Sequence, residues 1–165
     1  MPIGSAETLA LAGMMGSGKS TVAAILGRLL GRRVVSLDEE IARAAGKPVA
    51  AIFAEDGEAA FRALERAAVA SLPAGVVADL GGGAFCDPHN AARLLAVGRV
   101  VFLDVSSAEA ARRIGSGAGR DERPLAARWD ALLARRLPHY RRAHLVVPVG
   151  GLSPEAVARR IVEAL

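Results

Sequence analysis

Aromatic side chains make up only 4% of these 165 residues, so the interior has to be filled chiefly by alanine, valine and leucine from a hydrophobic share of 52%. Cysteine occurs once, at Cys86, which excludes a disulfide framework and fits a reducing, cytoplasmic setting. No stretch approaches the roughly 18 consecutive apolar residues of a membrane span. The start MPIGSAETLALAG has no charged segment ahead of a long apolar one, so neither a membrane partner nor a secretory leader is expected. Lysine is nearly missing as well: Lys19 and Lys47 stand alone among 21 basic residues. A net charge of +4 raises the question of nucleic acid. The arginines, however, are spread along helical stretches such as GRLLGRR and VARRI without interleaved aromatics, which reads as a solvated surface plus an anionic small-molecule site.

What is present is an alternation. Apolar runs of strand length (TLALAG, RVVSL, GVVADL, RVVFLDV, HLVVPV) are separated by longer stretches of helical period, the pattern of βα units. The expected class is α/β, with five parallel strands covered by helices on both faces in a single domain over residues 1–165. Helix signals agree. SSAE at 106–109 is a capping box, SPEA at 153–156 puts serine at a cap and proline in the first turn, and Gly31 follows Leu30 as a stop. The glycine-dense GSGAG at 115–119 reads as a mobile surface loop.

One segment carries chemistry on its own. Gly13-Met-Met-Gly-Ser-Gly-Lys-Ser20 fits G-x-x-x-x-G-K-[ST] and lies between an expected strand and an expected helix. In that context the backbone N–H groups of Gly16, Ser17, Gly18, Lys19, Ser20 and Thr21 cradle phosphates, Lys19 reaches the terminal ones, and Ser20 offers a hydroxyl to Mg²⁺. An ATP-type nucleotide with Mg²⁺ is the implied cofactor pair. No N-K-x-D guanine signature occurs. A small-molecule kinase or a minimal nucleotide switch remains. Further along, Phe61, Arg62 and Glu65 recur at helical spacing after Gly57, on one side of a helix that is either part of a pocket or simply salt-bridged. Gly81, Gly82 and Gly83 close GVVADL, where open α/β sheets bind ligands; a loose turn is the alternative.

In order and over nearly the whole chain, these motifs resemble those of shikimate kinases. GMMGSGKST is followed by LDEEI at 37–41, IFAEDGEAAFRALE at 52–65, GGGA at 81–84, RPL at 123–125 and RRLPHY at 135–140. The pairing of G-E-x-x-F-R-x-x-E with G-G-G-A is the specific part. The resemblance implies a three-layer phosphate-loop kinase fold with strand order 2-3-1-4-5, a substrate-binding region near 38–65 and a lid near 115–125. It implies ATP-dependent phosphorylation of the shikimate 3-hydroxyl, with Asp38 receiving or orienting that hydroxyl. Arg62 and Arg136 would grip the carboxylate, Gly82 and Gly83 would bind ring hydroxyls, Glu65 would hold the arginines and Phe61 would wall the ring. Arg123 would close over ATP, and Arg113 and Pro154 would flank adenine. The partners are then shikimate and ATP, with a monomer expected and neither nucleic acid nor membrane. A paralogue acting on another hydroxylated carboxylic acid, or a nucleotide-binding module without catalysis, are the alternatives.

The chain departs from the family at Ser36, where the first acid of a strand-borne D-x-D is expected. Residues 36 and 38 would share one face of that strand, with Glu39 and Glu40 starting the next helix. Asp79, near the end of GVVADL, is the candidate to supply the missing charge beside Mg²⁺.

Overall fold

The structure, a computed structural model, describes residues 2–115 and 122–165. Of the lid expected near 115–125, residues 116–121 and the side chain of Arg123 lie outside the described part. One parallel sheet is built from β1 (Thr8–Ala12), β2 (Val34–Ser36), β3 (Val77–Asp79), β4 (Gly98–Asp104) and β5 (Leu145–Pro148), in the order β2-β3-β1-β4-β5. The helices are α1 (Lys19–Leu30), α2 (Leu37–Ala45), α3 (Val49–Ala51), α4 (Glu58–Ala70), α5 (Pro88–Val97), α6 (Ser107–Gly115), α7 (Glu122–Tyr140) and α8 (Pro154–Ala164). A wide π turn over Ile52–Asp56 continues α3. Strand count and order are those expected.

The crossover from β1 to β2 and the one from β3 to β4 run in opposite directions along the sheet. Right-handed crossovers therefore place α1 and α5 on opposite faces. Strands covered on both faces need continuous apolar runs, and every residue of β1 and β3 is buried. Alanines at 10, 12, 23, 78 and 158, all buried, let helices approach the sheet closely, which is how so few aromatics suffice. The largest fully buried side chain among the described residues is Tyr140, stacked on Phe102 with ring centroids 4.8 Å apart.

Helix ends follow the sequence signals. Ser106 Oγ accepts from the N–H of Glu109 at 3.2 Å, Ser153 Oγ accepts from the N–H of Ala156 at 3.2 Å, and Gly31 ends α1 in the left-handed region at φ 63°. One expectation fails. Asp38 is not a strand residue sharing a face with Ser36, because β2 stops at Ser36 and Asp38 lies in the first turn of α2. The cause is local: Ser36 is the cap, its Oγ facing the N–H of Glu39 at 3.5 Å, and Asp38, Glu39 and Glu40 all favour the positive end of the new helix. Among the described residues no helix is long and apolar enough to cross a membrane.

Candidate active site

Chain order reverses beside β1, and the loops leaving β1 and β3 meet at the carboxyl edge of the sheet, where such folds bind ligands. The β1–α1 loop turns sharply because Gly16 and Gly18 take φ 81° and 88°, open to glycine and strained for other residues. Lys19 is buried at 8% exposure and donates from Nζ to the carbonyls of Gly13 (2.8 Å) and Met14 (3.0 Å). Burial pushes its ammonium down from an ordinary 10.5 to about 8; Asp79 and then Asp38 oppose the shift, and Arg136 adds to it. Ser17 is buried within the loop, and Ser20 and Thr21 are exposed at the start of α1.

Two carboxylates face this loop across a cleft of about 340 Å³ lined by Lys19, Ser20, Ser36, Asp38 and Asp79. Asp79 ends β3 and accepts a 2.6 Å hydrogen bond from Ser20 Oγ. In the sheet it pairs in register with Ser36 of β2, so the acid stands one strand over from the serine. Asp38 remains in contact with solvent. Partial burial and then the neighbouring Asp79 nevertheless push its carboxyl above the usual aspartate range, against the pull of Lys19 and Arg62.

A second hollow of about 450 Å³ adjoins the first and is lined by Arg62, Gly83, Cys86, Arg135, Arg136 and His139. The glycines at 81–83 divide the two: Gly81 and Gly82 line the cleft, and Gly83 the hollow. Arg62 Nη1 is paired at 2.8 Å with Glu65 Oε1, a carboxylate only 1% exposed, and its guanidinium lies 5.3 Å from the centroid of the Phe61 ring. Burial raises the Glu65 carboxyl, and the Arg62 partner works against that rise. Phe61 lies against Phe53 with ring centroids 4.4 Å apart and the rings tilted by 31°, and the π turn bearing Phe53 is clasped by Lys47, 2.9 Å from Glu55 and 2.6 Å from Asp56. Glu65 thus secures Arg62, whereas Arg136 is seated against Met14 Sδ at 3.8 Å.

The structure therefore gathers Lys19, Ser20, Asp38, Arg62, Glu65, Asp79, Gly82, Gly83 and Arg136 around one edge of the sheet. Arg113 lies beside the loop, donating to the carbonyl of Gly16 at 3.3 Å and paired with Glu109 at 2.6 Å. Pro154 opens α8 half-buried, outside the residues lining the cleft. Two contributors went unassigned. Tyr140, fully buried, donates to the carbonyl of Gly82 at 2.5 Å and approaches Met14 Sδ at 3.8 Å, tying α7 to both loops. As the chain's one tyrosine, four residues after Arg136, it carried a signal that the spacing alone could not interpret. His139 also lines the arginine hollow.

Known proteins resemble this chain in sequence and fold. A family model described as shikimate kinase matches residues 15–165. A shikimate kinase of Thermobifida fusca is 46% identical over 164 residues, covering 94% of this chain and 92% of the relative. One from Limosilactobacillus fermentum is 42% identical over 166 residues, covering 95% and 94%. Among solved structures, the shikimate kinase of Acinetobacter baumannii in complex with shikimate superposes with a TM-score of 0.87 at 31% identity, over 96% of this chain and 92% of that one. The enzyme from Bacteroides thetaiotaomicron gives 0.89 at 30% identity, over 96% and 97%. A match that runs from the phosphate loop to the last residue, with relatives this similar along almost their full lengths, leaves one conclusion: the chain belongs to the shikimate kinase family.

Proposed function

We propose that the protein phosphorylates the 3-hydroxyl of shikimate at the expense of ATP, a step toward chorismate and the aromatic amino acids. The observation that carries the reading is the placement of Asp38 between a buried phosphate-loop lysine and two guanidinium groups set on the triple glycine. The loop amides and Lys19 hold the β- and γ-phosphates, Arg113 and Pro154 flank the base, and Arg123 has the role of neutralising charge on the transferring phosphoryl group. Arg62 and Arg136 take the carboxylate in forked hydrogen bonds, with Glu65 fixing Arg62, while Gly82 and Gly83 offer N–H groups to the ring hydroxyls and Phe61 backs the ring. So oriented, the 3-hydroxyl oxygen attacks the γ-phosphorus. The bond to the β–γ bridging oxygen breaks, ADP leaves, and the hydroxyl proton passes to Asp38. Lys19 offsets the charge gathering on the transferred group.

The donor set fits Mg²⁺. Ser20 Oγ and Asp79 are already joined at the end of the loop, a hydroxyl and a hard carboxylate oxygen of the type this ion prefers. Bound there, Mg²⁺ supplies charge neutralisation of the phosphates. Asp79 stands in for the acid absent at Ser36. In Asp79→Asn, the Mg²⁺ concentration giving half-maximal rate rises about tenfold, and Mn²⁺ binding to the enzyme–nucleotide complex, followed by electron paramagnetic resonance, weakens in step. An unchanged metal requirement rejects this role.

The decisive assay couples ADP release to a spectrophotometric readout, with and without shikimate. Wild type shows shikimate-dependent turnover, and Arg62→Ala loses about 100-fold in kcat/KM because the substrate carboxylate loses its forked partner and the buried Glu65 carboxylate is left unpaired. Shikimate stimulation undiminished in Arg62→Ala contradicts the carboxylate clamp.

A further inference from the structure

Glycines 81–83 connect β3 to the short 3₁₀ turn at Ala84–Cys86, and none of them has the positive φ that would demand glycine. Gly83 sits at φ −98°, ψ −10°, where alanine is comfortable. What the three positions require is room. A Cβ placed on Gly81 would meet Asp38 Oδ1 at 2.8 Å. On Gly82 it would meet Arg136 Nη1 at 2.9 Å, and on Gly83 it would meet Arg62 Nη1 and Nη2 at 2.7 and 2.8 Å. Each of the three charged groups that handle the substrate fills the gap left by a different glycine.

We propose that Gly81, Gly82 and Gly83 are positioning residues, a three-place rack on which the Asp38 carboxylate, the Arg136 guanidinium and the Arg62 guanidinium are each seated. The proposal rests on the substrate reading above and deepens it. The run sets the spacing between the proton acceptor and the carboxylate clamp, and so fixes which hydroxyl of an anionic polyol lies in line with the phosphate.

The atoms that a methyl group would strike are all tips of flexible side chains, which can swing aside at small cost to the fold. The contrast is Gly98, where a Cβ would run into the backbone of Thr8, and Gly75, where it would run into that of Ser5. Those sites protect the fold; the rack protects alignment, and a displacement of about 1 Å costs a reaction about 100-fold.

The test compares Gly81→Ala, Gly82→Ala and Gly83→Ala in the full chain by thermal melting and steady-state kinetics. All three should melt within about 3 °C of wild type. Gly81→Ala should lower kcat about 100-fold with KM for shikimate held within about threefold, whereas Gly82→Ala and Gly83→Ala should raise that KM about 10-fold or more. The sharper measurement is a double-mutant cycle: in an Arg62→Ala background, Gly83→Ala should add no more than about a twofold change, since no guanidinium remains to be displaced. Equal losses from Gly83→Ala with and without Arg62, a large drop in melting temperature, or wild-type kinetics in all three variants would each overturn the rack. Wild type that ignores shikimate but turns over another hydroxy acid overturns the substrate reading alone, and the same series is then run with that acid.

Discussion

Asp38→Asn lowers kcat for shikimate phosphorylation about 1,000-fold, with the affinity for ATP and the KM for shikimate each within about threefold of wild type. The amide keeps the shape of the carboxylate and its place in the first turn of α2, so what disappears is the proton acceptor. Asp38 suits that task because partial burial and the neighbouring Asp79 raise its carboxyl, and a base poised higher accepts a hydroxyl proton more readily. The direction of the shift also fixes the pH profile. Only the ionised form accepts a proton, so wild-type activity is complete above the raised value and falls as the pH drops through it, on the alkaline side of where a free aspartate titrates. The residual rate of Asp38→Asn lacks that limb. Stopped-time assays across the acid range at saturating ATP check both the magnitude and the missing limb.

Lys19→Met gives the second large effect, in two opposite directions. Turnover falls about 1,000-fold, since the γ-phosphate loses its one buried cationic partner on the loop. Stability at pH 7 rises. The folded environment holds the Lys19 ammonium near 8 against an ordinary 10.5, so below about 8 the fold bears the full cost of a charge it has buried. Between about 8 and 10.5 the unfolded chain binds the extra proton, wild-type stability climbs with pH, and the advantage of Lys19→Met shrinks accordingly. The two hydrogen bonds from Nζ to Gly13 and Met14 are lost, so the gain at pH 7 stays below the roughly 3 kcal/mol that the shift alone would give. Melting curves of both proteins at about pH 7 and about pH 9.5 show the narrowing gap; a variant less stable than wild type at neutral pH contradicts the assignment of Lys19 as a buried, penalised charge.

The elements were legible because the forces that make them are local. Period and capping signals at Ser106, Ser153 and Gly31 act over three or four residues, and the phosphate loop is a contiguous motif whose flanking strand and helix can be read beside it. Strand order came from the family resemblance and agrees with the sheet. Asp38 was placed on the wrong element because β2 looked one residue pair longer than it is, and only the serine cap at Ser36 marks the break. The seating of Asp38, Arg136 and Arg62 on successive glycines was out of reach, since it joins side chains from α2, α7 and α4 to a loop after β3, and nothing in the local run GGG says what fills its spaces. Tyr140 escaped for the same reason: its partners, Met14 and Gly82, are remote in the chain.

Ser36 and Asp79 show that a residue at a strand end has an address sideways as well as lengthwise. Being lateral neighbours in the sheet, they point toward the same corner of the cleft. A negative charge can therefore migrate from one strand to the next without leaving that corner. Lineages that trade the two residues in concert would keep the same electrostatic landscape while losing the linear signature by which such enzymes are usually spotted.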